Sequence, residues 1–300
     1  APTLRSIIDE VEALPFDPGT EHEAAIVRLF ADSLDAQFSL MRITLEGAKQ
    51  GIAIGNWMGP ASIAQVLAQL SARGGAVTPR ADVPGVYGND SDASAKGSSY
   101  AASLAEHRAG AAGVPGLRVC VAMDGTIYRD EVVTAAAAED GVWRPLLLLV
   151  PLRLGLDRFN YAYAPALLAA MQLPQCLGII GGRPRSSYYF VGVQGDRLLF
   201  LDPHEVQPAL SADCPQLATC HYARNVRTMR LADIDPSLTL GFLLASAADF
   251  EAFCEQSAQL VGDPLAVFSV AGARPAYEAR DGAEEREGLD SDPDEDLVVV

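Results

Sequence analysis

The stretch from Cys176 to Gln207, CLGIIGGRPRSSYYFVGVQGDRLLFLDPHEVQ, constrains the fold more than any other part of the chain. Two apolar runs, Tyr188–Val193 and Leu198–Leu201, flank Gln194-Gly195-Asp196-Arg197. Aromatic and β-branched residues on either side of a Gly-Asp turn predict a β-hairpin. The second run ends at Asp202-Pro203-His204. Pro203 has no N–H to give a sheet, so it marks the end of the strand. Side chains alternate along extended backbone, which puts Asp202 and His204 on the same side. A carboxylate two residues before an imidazole, at the end of a buried strand, suits a general base and the group that orients it. It suits equally a half-buried histidine with a satisfied hydrogen bond on an ordinary Asp-Pro turn. Both readings stand at this point.

A chain of 300 residues with 49% hydrophobic content can bury a sizeable core, as one large domain or two small ones. The formal net charge of −17 argues against a nucleic-acid groove and for a neutral or basic protein partner. Much of that charge lies in Arg280–Asp296, so residues 276–300 are expected to form an acidic, disordered tail. The cysteines are Cys120, Cys176, Cys214, Cys220 and Cys254. An odd number at irregular spacing, with no signal peptide, predicts reduced thiols and a cytoplasmic location. No apolar run approaches the roughly 18 residues of a membrane span.

Helical spacing is read in Leu4–Leu14, Glu21–Ala36, Ser62–Leu70, Asp130–Ala138, Asn160–Gln172 and Ala247–Leu260. Strands are read in Leu117–Met123, Leu146–Leu152, Cys176–Ile180, the hairpin, Leu238–Leu244 and Leu265–Val270. Phe38–Gly47 is ambiguous. Residues 74–116 are rich in Gly, Ala, Ser and Asp and are expected to be a low-order insertion, with a weak helical piece at Tyr100–Ala109. Trp57 sits in a Gly- and Pro-bounded loop, Ile54–Pro60, ahead of a helix. It either staples the loop to the core, the commoner use of tryptophan, or lines a substrate groove. Interspersed helices and hairpin-linked strands predict an α+β fold with a mixed or antiparallel sheet.

Several strings, in order, resemble the autophagins, the cysteine proteases of autophagy. They are Ile54–Pro60 with Gln65-Val66-Leu67, Trp143-Arg144-Pro145-Leu146, and Pro151-Leu152-Arg153-Leu154-Gly155-Leu156. Pro174–Pro184, Leu201-Asp202-Pro203-His204 with Gln207, and Asp235-Pro236-Ser237 with Gly241-Phe242 follow. The resemblance covers roughly residues 25–270 apart from 74–140. It implies a papain-like fold with a small added domain, making residues 1–275 the peptidase domain. It implies that Asp202 and His204 belong to a Cys–His–Asp site, and that Trp57 and Pro184 cover the groove until substrate enters. The implied substrate is the ubiquitin-like autophagy modifier (GABARAP-like), as free precursor or conjugated to phosphatidylethanolamine. Cleavage follows its C-terminal glycine, and contact with the autophagosomal membrane is peripheral, through the conjugate. No cofactor, metal or nucleic acid is implied.

The family's nucleophile lies in a Gly-Trp-Gly-Cys-Met string upstream of the tryptophan loop, and this sequence has no such string. The expectation is an N-terminally incomplete peptidase domain whose chain, as given, does not cleave. A catalytically inactive modifier-binding pseudo-protease is the alternative. None of the five cysteines suits the nucleophile's role: Cys120, Cys176 and Cys254 fall in apolar elements, and Cys214 and Cys220 in a loop. A zinc set of His204, Cys214, Cys220 and His221 has suitable ligand types but lacks a CxxC or HxxxH core. The C-terminal Asp294–Val300 resembles an acidic lead into a strand-adding segment, with Leu297 where an aromatic is usual.

Overall fold

The structure is a computed structural model and describes residues 28–72, 118–137, 141–184, 186–204, 227–261 and 264–275. Leu4–Leu14, the 74–116 insertion, Gln207, Cys214, Cys220, His221 and the 276–300 tail lie outside the described residues.

Among the described residues seven strands form the main sheet. They are β1 (Arg118–Val121), β3 (Leu146–Arg153), β4 (Cys176–Arg183), β5 (Ser186–Gln194), β6 (Arg197–Leu201), β7 (Arg227–Arg230) and β8 (Ser237–Leu244), in the order β1-β3-β8-β4-β5-β6-β7. Only β1 and β3 run parallel, so the sheet is mixed and mostly antiparallel. A two-stranded parallel sheet joins β2 (Thr126–Tyr128) to β9 (Ser269–Ala271). The helices are α1 (Leu40–Lys49), α2 (Pro60–Ala72), α3 (Arg129–Ala137), α4 (Ala164–Ala170) and α5 (Ala247–Val261). The α+β class holds.

The core explains why β3 and β8 sit in the middle. Leu148, Leu149 and Val150 on β3, and Leu238 through Phe242 on β8, are buried in succession rather than alternately. Continuous burial means that both faces of these strands are covered. On one face Phe242 meets Phe253 and Phe268 at ring distances of 5.0 and 5.7 Å. Phe253 belongs to α5, whose start is fixed by a reciprocal cap. Ser246 Oγ accepts the Asp249 N–H, and Asp249 Oδ2 accepts the Ala245 N–H. Asp249 Oδ1 accepts from the largely buried Gln175 side chain, which ties the helix to the entry of β4. The helix α2 lies against β1, β3 and β8 and shares a smaller cluster with Phe38.

Three local expectations are corrected and one ambiguous stretch is resolved. Residues 29–36, the described end of the expected Glu21–Ala36 helix, run as turns and bends. Ser33 Oγ accepts the Asp35 N–H there, a local bond that competes with helix formation. The ambiguous Phe38–Gly47 becomes helix α1, capped by Ser39 Oγ on the Arg42 N–H. Asn160 caps a short 3-10 turn, Tyr161–Tyr163, so the regular helix starts only at Ala164. The last strand is limited to Ser269–Ala271, with 264–268 entering as turns and bends.

Candidate active site

The register of the sheet gathers chain segments at one end. Arg183 pairs with Ser186 across the β4–β5 turn that carries Pro184. Leu201 pairs with Tyr189, so the chain beyond β6 runs back toward that same turn. Arg227 pairs with Phe200, so β7 begins there too. The ends of β3 and β4 and the start of β8 meet at this edge, where Gly182 O accepts the Asp235 N–H at 2.7 Å. Pro184 and the Asp202–His204 pair therefore share one end of the sheet.

The structure brings Asp202 and His204 into contact, but by a different route from strand alternation. Residues 203 and 204 are turn, not strand. Asp202 Oδ1 accepts the His204 backbone N–H at 3.0 Å, an Asx turn of the kind Asp-Pro sequences favour. The same oxygen lies 2.8 Å from His204 Nδ1. The ordinary-turn reading and the base-and-orienter reading thus describe one geometry. The Asp202 side chain is 12% exposed and that of His204 50% exposed. Tyr188 packs its ring against the imidazole at 5.8 Å, nearly edge-on, and meets Phe200 in turn at 4.6 Å with the rings tilted.

Asp202 is held below the usual carboxylate range, first by the His204 backbone N–H, then by the ring hydrogen bond and by the charges of His204 and Arg227. A depressed pKa stabilises the fold above the unfolded value of about 3.9, and that contribution is lost as pH falls through the folded value. An ionised carboxylate has no hydrogen to give, so Nδ1 carries the proton of the 2.8 Å contact. Whenever the ring is neutral, Nε2 then keeps its lone pair, on a half-exposed side chain. That is the form of imidazole that can take a proton from a reacting group.

Trp57 is 58% exposed, which overturns the core-stapling reading. Met58 fills that role: it packs against the Phe38, Val66 and Leu70 cluster and covers Gly47, where a Cβ would come within 2.4 Å of its methyl carbon. Pro184 is exposed as well. Among the described residues no hydrogen bond or ring contact links Trp57 or Pro184 to the Asp202–His204 pair. Arg227, whose Nη1 donates to Asp202 Oδ2 at 2.8 Å, was not read as a site residue from sequence. It lies 25 residues further along the chain, and only the pairing of β6 with β7 returns it.

The described cysteines are poor nucleophiles. Burial pushes the Cys120 thiol up to about 11, with Glu131 adding to the shift. Burial also raises Cys176. Burial raises Cys254 too, although Arg129 opposes it. Their reactivity follows: at about pH 8 only about one Cys120 in a thousand is thiolate. Iodoacetamide labelling of the folded protein, read by peptide mass spectrometry, is expected to leave Cys120 at least tenfold slower than a free thiol. Labelling at the rate of a free thiol would contradict the buried placement. Among the described residues no group of three His, Cys, Asp or Glu side chains is placed to hold a metal. Among them, too, no helix is long and apolar enough to cross a membrane.

Comparison with known proteins places the chain in a family. The family model described as the Peptidase C54 catalytic domain matches residues 15–256. Cysteine protease ATG4B of Gallus gallus is 32% identical over 265 residues, covering 86% of this chain and 65% of that protein. Cysteine protease ATG4b of Arabidopsis thaliana is 35% identical over 254 residues, covering 82% and 49%. Cysteine protease ATG4A of Oryza sativa subsp. japonica is 35% identical over 284 residues, covering 91% and 56%. The chain spans between about half and two thirds of the length of these relatives. With a matched family model over most of its length, the chain belongs to the Peptidase C54 family, the autophagin-type cysteine peptidases that its motifs resemble.

Proposed function

We propose that this chain supplies the acid–base pair and the substrate groove of a cysteine peptidase acting on the ubiquitin-like autophagy modifier. Cleavage follows the modifier's C-terminal glycine, both to mature the precursor and to release the modifier from phosphatidylethanolamine. The observation that carries the reading is the 2.8 Å contact of His204 Nδ1 with Asp202, which leaves Nε2 as a base. In the reaction, Nε2 takes the proton of a cysteine thiol, and the thiolate attacks the glycine carbonyl. Asp202 holds the resulting imidazolium. The imidazolium then protonates the departing amine, and water, deprotonated by the same nitrogen, hydrolyses the thioester. Glycine has no side chain at the scissile bond, so a narrow slot suffices. The exposed Trp57 and Pro184 are suited to close over it.

The thiol is the component that the described cysteines do not provide. Cys120, Cys176 and Cys254 are all shifted away from thiolate. The same observation favours the second reading, a modifier-binding pseudo-protease. In both readings the work is cytoplasmic, and the membrane is met only through the lipid-conjugated substrate. Calorimetric titration of the 300-residue chain with modifier precursor tests the shared part. Saturable binding is expected, weakened about tenfold by Trp57→Ala as for a well-placed aromatic anchor. No saturable binding, or binding indifferent to Trp57→Ala, would overturn the groove assignment.

A further inference from the structure

Arg227 opens β7 directly opposite Phe200, the residue two positions before Asp202. Its Nη1 donates to Asp202 Oδ2 at 2.8 Å, while Oδ1 takes both the backbone N–H and the ring Nδ1–H of His204. Each oxygen of the carboxylate is thereby committed to a different neighbour. The division matters because the terminal torsion of an aspartate is broad and roughly two-fold, so the carboxylate is not held by its own rotamer preference. A carboxylate bonded on one oxygen alone can swing, and the imidazole it orients swings with it. Arg227 is carried on a strand laddered to β6, so its anchor point is fixed by the sheet rather than by the turn.

We propose that Arg227 is a positioning residue for His204, pinning Asp202 Oδ2 so that Oδ1 stays aimed at Nδ1 and Nε2 stays bare. The assignment rests on His204 being the base. Arg227 touches no reacting atom; it acts through Asp202. Tyr188 limits the ring from another side. The placement of Asp202 below the usual carboxylate range is consistent with the neighbouring guanidinium. Arginine suits the role better than lysine because its planar fork keeps a fixed direction toward a carboxylate, where an ammonium supplies charge without direction.

The test is nuclear magnetic resonance of the 300-residue chain with labelled histidine and aspartate, which requires no nucleophile. In the unaltered protein the His204 ring proton is expected on Nδ1 and slow to exchange with water. In Arg227→Ala that proton is expected to exchange about tenfold faster or more, as for a lost charge-assisted bond, with the two ring tautomers mixed and the Asp202 titration shifted upward. Arg227→Lys is expected to keep Asp202 titrating low while the ring proton still exchanges faster than in the unaltered protein. Backbone amide spectra of Phe242 and Phe253 report whether the core stays folded; if the alanine variant loses it, Arg227→Gln gives the same comparison. Ring exchange and tautomer unchanged in a folded Arg227→Ala or Arg227→Gln variant would overturn the role of Arg227. A bare Nδ1 in the unaltered protein would overturn the base assignment itself, so the two failures are distinguishable.

Discussion

His204→Ala, made in a form of the protein that also carries the family's Gly-Trp-Gly-Cys-Met segment, is expected to lose at least about 10³-fold in kcat with little change in KM. The substitution removes the one imidazole at the site among the described residues, so the thiol keeps its proton and the leaving amine lacks an acid. Asp202→Asn is the more telling partner experiment. The amide fills the same space, yet it presents an NH2 as readily as an oxygen to Nδ1. It can therefore hold the ring in the wrong tautomer, with the proton on Nε2. A loss approaching about 10⁴-fold is expected, the size seen when a triad carboxylate is made neutral. Steady-state rates on the modifier precursor measure both. Asp202→Asn at near-normal kcat would mean that the 2.8 Å contact is structural only.

Gly182→Ala is expected to destabilise the protein by about 3 kcal/mol, through strain at a backbone conformation that only glycine adopts easily. Gly182 has φ +155°, and a Cβ there would lie 2.0 Å from the Ser186 carbonyl oxygen and 3.0 Å from the Ser187 Cα. Both neighbours are backbone of the paired strand, so neither can move without opening the β4–β5 ladder beside Pro184. Gly195→Ala is the control. Its φ is +62° and nothing lies within 4 Å of the added carbon. It pays only the left-handed penalty of about 1–2 kcal/mol. Thermal unfolding distinguishes them: at roughly 2–4 °C per kcal/mol, Gly182→Ala should fall by about 6–12 °C, clearly more than Gly195→Ala. Equal losses would mean that the close approach at Gly182 is relieved by strand movement.

These two sites also show which parts of the fold could be read from sequence. The β5–β6 hairpin was legible because its signals are local: two short apolar runs and a two-residue turn with Gly195 at positive φ. The Asp202–His204 contact was legible for the same reason, although an Asx turn makes it rather than strand alternation. The strand β2 and its pairing with β9 were not, although the end of the last strand read from sequence overlaps β9. Each has three residues, and their pairing joins Thr126 to Ser269 across most of the domain. Residues 29–36 carry helical spacing, but the Ser33 hydroxyl accepting the Asp35 N–H competes with a pattern too short to hold itself together. The exposure of Trp57 depends on Met58 taking the core position, a choice that residue type alone does not make. Arg227 was out of reach because its partner is set by tertiary pairing, not spacing.

On the proposed reading the chain contributes a poised imidazole and a groove, while the described cysteines stay at least partly buried and protonated. Intact-mass spectrometry of modifier precursor incubated with the 300-residue chain tests it most directly. The expected result is precursor that is bound and unchanged in mass over many hours. Precursor shortened to its terminal glycine, with the shortening abolished by alkylating Cys120, Cys176 or Cys254, would contradict it.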